Sequence, residues 1–226
     1  MKDRPILFNG AMVRALLDDS KTKTRRIIAR PLQNPGWTEY RYFGPSKNNP
    51  TCQSKAIECG PDYPDGQEDQ VLCPYGQAGD RLWVRETFYA FGRWEKRFSV
   101  KKSRDEWHFV DMTLTSGFHH LFEEPAGYVK RSKGRRGALP MWHKRPSIFI
   151  PRVASRITLE IVSVRVERLN DISEADVIAE GCPSEILYGT GWYRELWETI
   201  NGAGSWDENP WVWVVEFKRV INGAAQ

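Results

Sequence analysis

Positions 21 to 26 read Lys21-Thr22-Lys23-Thr24-Arg25-Arg26, two hydroxyls among four cations in six residues. Lysine and arginine at this density suit a phosphate-bearing or otherwise anionic partner. Arg25 and Arg26 are adjacent on a strand and point to opposite faces, so one of them is expected to reach a cleft. Two carboxylates stand out further along. Glu86 shares a strand face with Leu82 and Val84, which suits a pocket carboxylate or a strand end equally well. Glu180 closes a short helix, where it is either part of a site or an exposed last-turn residue. Four cysteines, Cys52, Cys59, Cys73 and Cys182, lack CxxC spacing. Cys52, Cys59 and Cys73 could join a histidine around zinc, because thiolates are good ligands. Their separations of 6 and 13 intervening residues match no ligand pattern, so no metal or cofactor is expected and the option stays open. His108, His119, His120 and His143 have no ligand spacing either.

The chain of 226 residues carries a formal charge of +4, unevenly spread. Residues 12–30 hold six Lys/Arg against two Asp/Glu, and residues 91–152 hold fourteen against six. Residues 153–226 reverse the balance, with six against twelve. Such clustering is the footprint of a polyanion partner, or else of two solvated surfaces. Ten tryptophans and 40% apolar residues supply a core. No run reaches the length of a membrane span, and Met1-Lys2-Asp3-Arg4-Pro5 has no apolar signal region. A cytoplasmic protein is expected.

The elements that must position these residues follow from local pattern. Pro5–Phe8 reads as a buried strand. Asn9 can cap a helix over about 10–18, with Met12, Ala15 and Leu16 on one face. Asp18-Asp19-Ser20 stops it, and a strand follows over Lys21–Ile28. Seven prolines between Pro31 and Pro74 mark an insertion at about 31–76, with at most a short hairpin near Trp37–Tyr42. Arg81–Phe88 is a strand. A second, basic insertion spans about 90–145, with strands at Arg97–Lys101 and Glu106–Met112 and an exposed end at Lys130–Arg136. Ile157–Arg168 shifts its apolar phase from odd to even positions, the mark of a β-bulge. Ser173 caps a helix with Asp176 three residues on, and Gly181 closes it. A further helix covers about 191–200. Trp211, Trp213, Val215 and Phe217 alternate with Val214, Glu216 and Lys218, as in a half-buried strand. Trp83, Trp211 and Trp213 read as core more readily than as stacking platforms. Together these predict a single α+β domain over 1–226, a curled mixed sheet or small barrel with a few short helices and two long insertions.

Four blocks carry a resemblance. Leu17-Asp-Asp-Ser-Lys21-Thr-Lys-Thr24-Arg-Arg26 resembles the G-R/K-K-T-x-T-x-R signature of the ASCH family. Gly79-Asp-Arg-Leu-Trp-Val-Arg-Glu86 is similar to its G-D turn and barrel strand. The segment Leu169–Gly181 resembles its L-x-x-I-x-x-x-x-A-x-x-E-G helix, and Trp211–Phe217 its closing strand. The order of the blocks is more specific than any one of them. The long insertions look most like those of the larger ASCH proteins of bacteriophages and prophages.

The resemblance implies a PUA-like mixed β-barrel with a nucleoside or RNA cleft beside the first helix. Some small bacterial members are amidohydrolases that release the acyl group of N4-acetylcytidine. Their catalytic triad maps onto Lys21, Thr24 and Glu180, with Thr22, Arg25, Arg26 and Glu86 as candidate substrate-binding residues. The family's Gly-Arg before the lysine is Asp19-Ser20 here, which trades a positive charge for a negative one. In chemical terms Thr24 offers a nucleophile, and Lys21 a base once burial lowers its pKa. Glu180 would orient the lysine or pass a proton to the leaving amine. Residues three apart in a strand face opposite ways, so Lys21 and Thr24 converge only if Lys21 sits in the preceding turn. The expected activity is hydrolysis of an N4-acylated cytidine or related amide. A non-catalytic RNA or modified-base module, a ribonuclease and a virion component are the alternatives.

Overall fold

The computed structural model describes residues 1–29, 39–44, 55–59, 70–130 and 139–220. Its elements run β1 (Asp3–Leu7), α1 (Gly10–Leu17), β2 (Lys23–Ile27), β3 (Glu39–Phe43), β4 (Lys55–Cys59), β5 (Gln70–Leu72) and β6 (Arg81–Arg85). Then follow β7 (Phe88–Ser99), β8 (Arg104–Asp111), β9 (Met141–Arg145), β10 (Thr158–Arg168), α2 (Glu174–Ala179), α3 (Gly189–Asn201) and β11 (Trp211–Arg219). The class is α+β, as expected. The strands do not close: among the described residues the main sheet has the open order β1-β6-β10-β11-β2, which leaves β1 and β2 at its edges. No described helix is long and apolar enough to cross a membrane.

Two compact units divide the chain. The first draws on the described residues of Met1–Ile6, Ala11–Val84 and Ile157–Gln226, the second on Leu7–Gly10 and Arg85–Arg156. The second unit carries its own sheet, ordered β8-β7-β9. The strand expected over Arg81–Phe88 breaks at Glu86 and Thr87, where the chain leaves β6 for β7. The first insertion also holds more order than its prolines suggest. Its five-residue strands β3 and β4 pair antiparallel, and β5 completes a three-stranded sheet. The expected hairpin at Trp37–Tyr42 falls partly outside the described residues, and of the expected exposed end Lys130–Arg136 only Lys130 lies within them, exposed.

In the first unit, β10 pairs antiparallel with both β11 and β6. The predicted bulge is present: the β10–β11 register shifts between Ile161 and Ser163. Val162, the extra residue, is 48% exposed while Ile161 and Val164 are buried. A bulge turns one apolar side chain out and restores the inward phase beyond it. β11 is not half-buried as its alternation suggested. It lies between β10 and β2, so Val212 and Val214 pack with Tyr193, Trp197, Leu169 and Val177 while Trp213 and Val215 are buried as well.

Three turns position the functional residues. α1 ends where Asp19 takes a left-handed φ of 62°, and the Lys21 amide donates back to the Ala15 carbonyl at 2.9 Å. Lys21 therefore sits in the turn before β2. The Thr22 amide donates to the Ala179 carbonyl at 2.8 Å, tying this turn to the end of α2. α2 starts on the predicted cap, with Ser173 Oγ accepting from the Asp176 amide at 3.2 Å. It closes through Gly181 at φ +95°, where a Cβ would meet the Ala15 Cβ at 3.0 Å and the Lys21 Cβ at 3.3 Å. Only glycine meets both demands at low cost. Gly181→Ala is therefore expected to cost more than the ~1–2 kcal/mol of the backbone alone, read as a lower denaturation midpoint. An unchanged midpoint would show that the α1–α2 approach is looser than described.

Candidate active site

A pocket holding about 370 Å³ of empty space, counted out to its open mouth, lies in the first unit. Its walls include Thr24, Arg25, Arg26 and Glu180, with Tyr193 and Trp197 of α3 opposite. α3 presents Tyr193, Leu196, Trp197 and Ile200 at helical spacing, and all four line the pocket. That i, i+3, i+4, i+7 stripe was visible in the sequence as an apolar face. It carried no sign of which element it would meet.

Behind the wall lies a buried ion pair. Lys21 is only 2% exposed, and its Nζ donates to Glu180 Oε2 at 2.6 Å and to the Glu180 carbonyl at 2.8 Å. Burial pushes the Lys21 ammonium down from its usual range, and the attraction of Glu180 opposes that shift. Glu180 also accepts from Arg25 Nη1 at 3.3 Å and from the Tyr193 hydroxyl at 3.4 Å, both on Oε1. Burial, followed by the nearby Glu180 charge, raises the Tyr193 phenol well above its ordinary value. It stays a neutral donor.

Arg25 extends the pair into a web. Its Nη2 reaches Glu167 Oε1 at 2.5 Å and Asp176 Oδ2 at 2.6 Å, and Nε reaches Glu167 Oε1 at 2.9 Å. Burial alone would lower its pKa. Glu167, Glu180 and Asp176 outweigh burial and raise it. Lys23 Nζ and Arg165 Nη2 also bind Asp176, at 2.6 and 2.5 Å. Burial pushes the Asp176 carboxyl up, but hydrogen bonds from Lys23 and Arg25 and the Arg165 charge hold it at about 2. The sequence marked Asp176 only as a capping residue and passed over Glu167. Both are recruited by Arg25, which lies more than 140 residues away in the chain.

The predicted residues are thus partly assembled. Lys21 and Glu180 meet, and Thr24 lines the same pocket as Glu180. By register Thr24 faces Val215 and Arg25 faces Val214, so their side chains leave opposite faces of β2. β2 is an edge strand, so residues from both its faces border the pocket. This corrects the expectation that only one of Arg25 and Arg26 would reach the cleft. Arg25 is the buried member and Arg26 a half-buried part of the wall. Thr22 is exposed and is not among the described lining residues. Glu86 is not brought to this pocket. It belongs to the second unit and forms a bidentate pair with Arg156 at 3.0 and 3.0 Å, which leaves the strand-end reading. Asp19 does not act as a bare negative charge, because Arg219 binds its carboxylate at 2.7 and 2.9 Å.

Among the described residues no group of three metal-binding side chains occurs. Cys73 is a buried free thiol pushed up to about 11 by burial, whereas Cys52 and the Cys59 side chain lie outside the described residues. No family model matches the chain, and no curated protein or solved structure is significantly similar to it.

The Asp176 web makes stability depend on acid. A carboxyl at about 2 when folded, against an ordinary 3.8, stabilises the fold fully above about pH 4 and loses that contribution as pH falls through about 2. The contribution is on the order of 2 kcal/mol. In denaturant melts between pH 5 and 2, Asp176→Asn should be less stable at pH 5 and show a shallower decline. Parallel declines for the two proteins would remove Asp176 from the account.

Proposed function

We propose that the first unit is a PUA-like domain of the ASCH type that binds a nucleoside or nucleotide and hydrolyses an N4-acylated cytidine or a related nucleoside amide. The observation that carries this reading is the buried Lys21–Glu180 pair at 2.6 Å beside a pocket lined by Thr24. A lysine whose pKa is lowered by burial can accept a proton, and a carboxylate in contact with it can hold and return that proton.

In this reading the base lies between Tyr193 and the β2 wall, with its exocyclic amide toward Thr24. A proton first shifts from the Lys21 ammonium to the Glu180 carboxylate; the Thr24 hydroxyl then attacks the acyl carbonyl, and its proton passes to the neutral Lys21 amine. Collapse of the tetrahedral adduct breaks the C–N bond, and the amine leaves with a proton delivered through the Lys21–Glu180 pair. Water then cleaves the acyl-threonine and restores the hydroxyl. Arg25 holds Glu180 in place through bonds it shares with Glu167 and Asp176, and Arg26 adds positive charge to the pocket wall.

A second reading, binding without turnover, is favoured by the register of β2. Thr24 leaves the strand face opposite to Arg25, which makes the web's contact with Glu180. The two readings part in one assay. Purified protein is incubated with N4-acetylcytidine and related acylcytidines, and released cytidine is measured. Hydrolysis predicts turnover that falls at least about a hundredfold in Thr24→Val and in Glu180→Gln, with the fold retained by circular dichroism. Absence of turnover with saturable binding of the same nucleosides would leave only the binding module.

A further inference from the structure

The second unit carries a feature that the pocket chemistry does not use. Residues 93–110 hold six Lys/Arg against three Asp/Glu. They form the far end of the β7–β8 hairpin, whose turn Val100–Lys102 closes through Ser103 at φ 48°. Arg93 and Arg97 share Glu95, while Lys102 and Arg104 share Glu106. Four cations divided between two carboxylates leave a surplus of positive charge, to which Lys96 and Lys101 add.

One face of this hairpin is also aromatic. Alternation along β7 puts Trp94, Lys96 and Phe98 on the same side. Their cross-strand partners on β8 are Phe109, Trp107 and Asp105. Trp94 and Phe109 meet edge to face at 5.4 Å between ring centres. The Arg145 guanidinium lies 4.3 Å from the Phe109 ring centre and 5.0 Å from that of Trp94. Lys96 Nζ lies 5.6 Å from the centre of the Trp107 ring. Toward the tip the rings become accessible: Trp107 is 38% and Phe98 65% exposed.

We infer that this face of the β7–β8 hairpin is a binding site for single-stranded nucleic acid, with bases on the Phe98 and Trp107 rings and the backbone along Lys96 and the lysines of the tip. Arg93, Arg97 and Arg104 alternate onto the opposite face. Exposed aromatic rings with lysines beside them are what such a strand requires. Any base offers a face to stack, and the phosphates meet the lysines. An anionic membrane would be drawn by the same charge. The rings, however, lie along the sheet face, whereas the turn Val100-Lys101-Lys102-Ser103 has Val100 as its one apolar residue, so there is no apolar tip to insert. The site is independent of the hydrolase reading.

The test uses the full chain and a fluorescein-labelled oligouridylate, with anisotropy read over a range of salt. Phe98→Ala and Trp107→Ala should each weaken binding by roughly 5- to 150-fold, the range of base–aromatic stacking. Lys101→Glu/Lys102→Glu should flatten the dependence of log K on log salt by about 0.7 for each phosphate that is no longer neutralised. Thr24→Val, in the other unit, should leave oligonucleotide affinity unchanged, and Phe98→Ala should leave turnover of free acylcytidine unchanged. Phe98 is so exposed that its removal should not unfold the protein, and circular dichroism checks this. Oligouridylate affinity indifferent to Phe98→Ala and Trp107→Ala would overturn the proposal. So would capture by phosphatidylserine vesicles, abolished in Phe98→Ala, without oligonucleotide binding.

Discussion

A lysine ammonium and a glutamate carboxylate removed from water are tolerable only in each other's company. Either charge alone in such a place carries a desolvation penalty of several kcal/mol. Lys21 and Glu180 lie 159 residues apart in the chain, and the folded first unit holds them at 2.6 Å. The pair makes α1, β2, α2 and α3 interdependent. The helix-ending turn at Asp19 must deliver Lys21, and Gly181 must allow the close approach. Arg25 and Tyr193 must occupy the other carboxylate oxygen.

The surrounding web decides what the pair can do. Arg25 is bound to Glu167, Asp176 and Glu180, so it works as a clamp with little capacity left for a ligand. It fixes one oxygen of Glu180 and leaves the other to Lys21. A lysine held this way has its proton shared with a carboxylate, and burial lowers the cost of giving it up. The same arrangement would orient a ligand without reacting with it. What separates these roles is whether a substrate bends its carbonyl toward the Thr24 face of β2.

Much of the scaffold was legible because its signals are local. Ser173 and Gly181 bracket α2 through cap chemistry, and the odd-to-even phase change in β10 marked the bulge at Val162. The aspartates after Leu17 stop α1, which put Lys21 in the turn as the chemistry requires. Features set by distant partners were harder to read. Alternation showed that Arg25 and Arg26 part, but not that an edge position would let both border the pocket. The apolar pattern of β11 looked half-buried, since nothing local tells that β10 and β2 flank it and two helices cover it. Prolines hid the β3–β5 sheet, where strands of five residues or fewer fit between the breaks. Glu86 suited a pocket or a strand end equally well, and its partner Arg156, 70 residues on, decides for the latter.

Because the account stands on the union of Lys21 and Glu180, a double-mutant cycle of Lys21→Met and Glu180→Gln tests it most directly. Unfolding free energies of the four proteins give the coupling between the two side chains. Each single change should destabilise strongly and the double variant should recover part of the loss, with a coupling of about 2 kcal/mol or more. Strict additivity of the two changes would mean that the ammonium and the carboxylate do not meet.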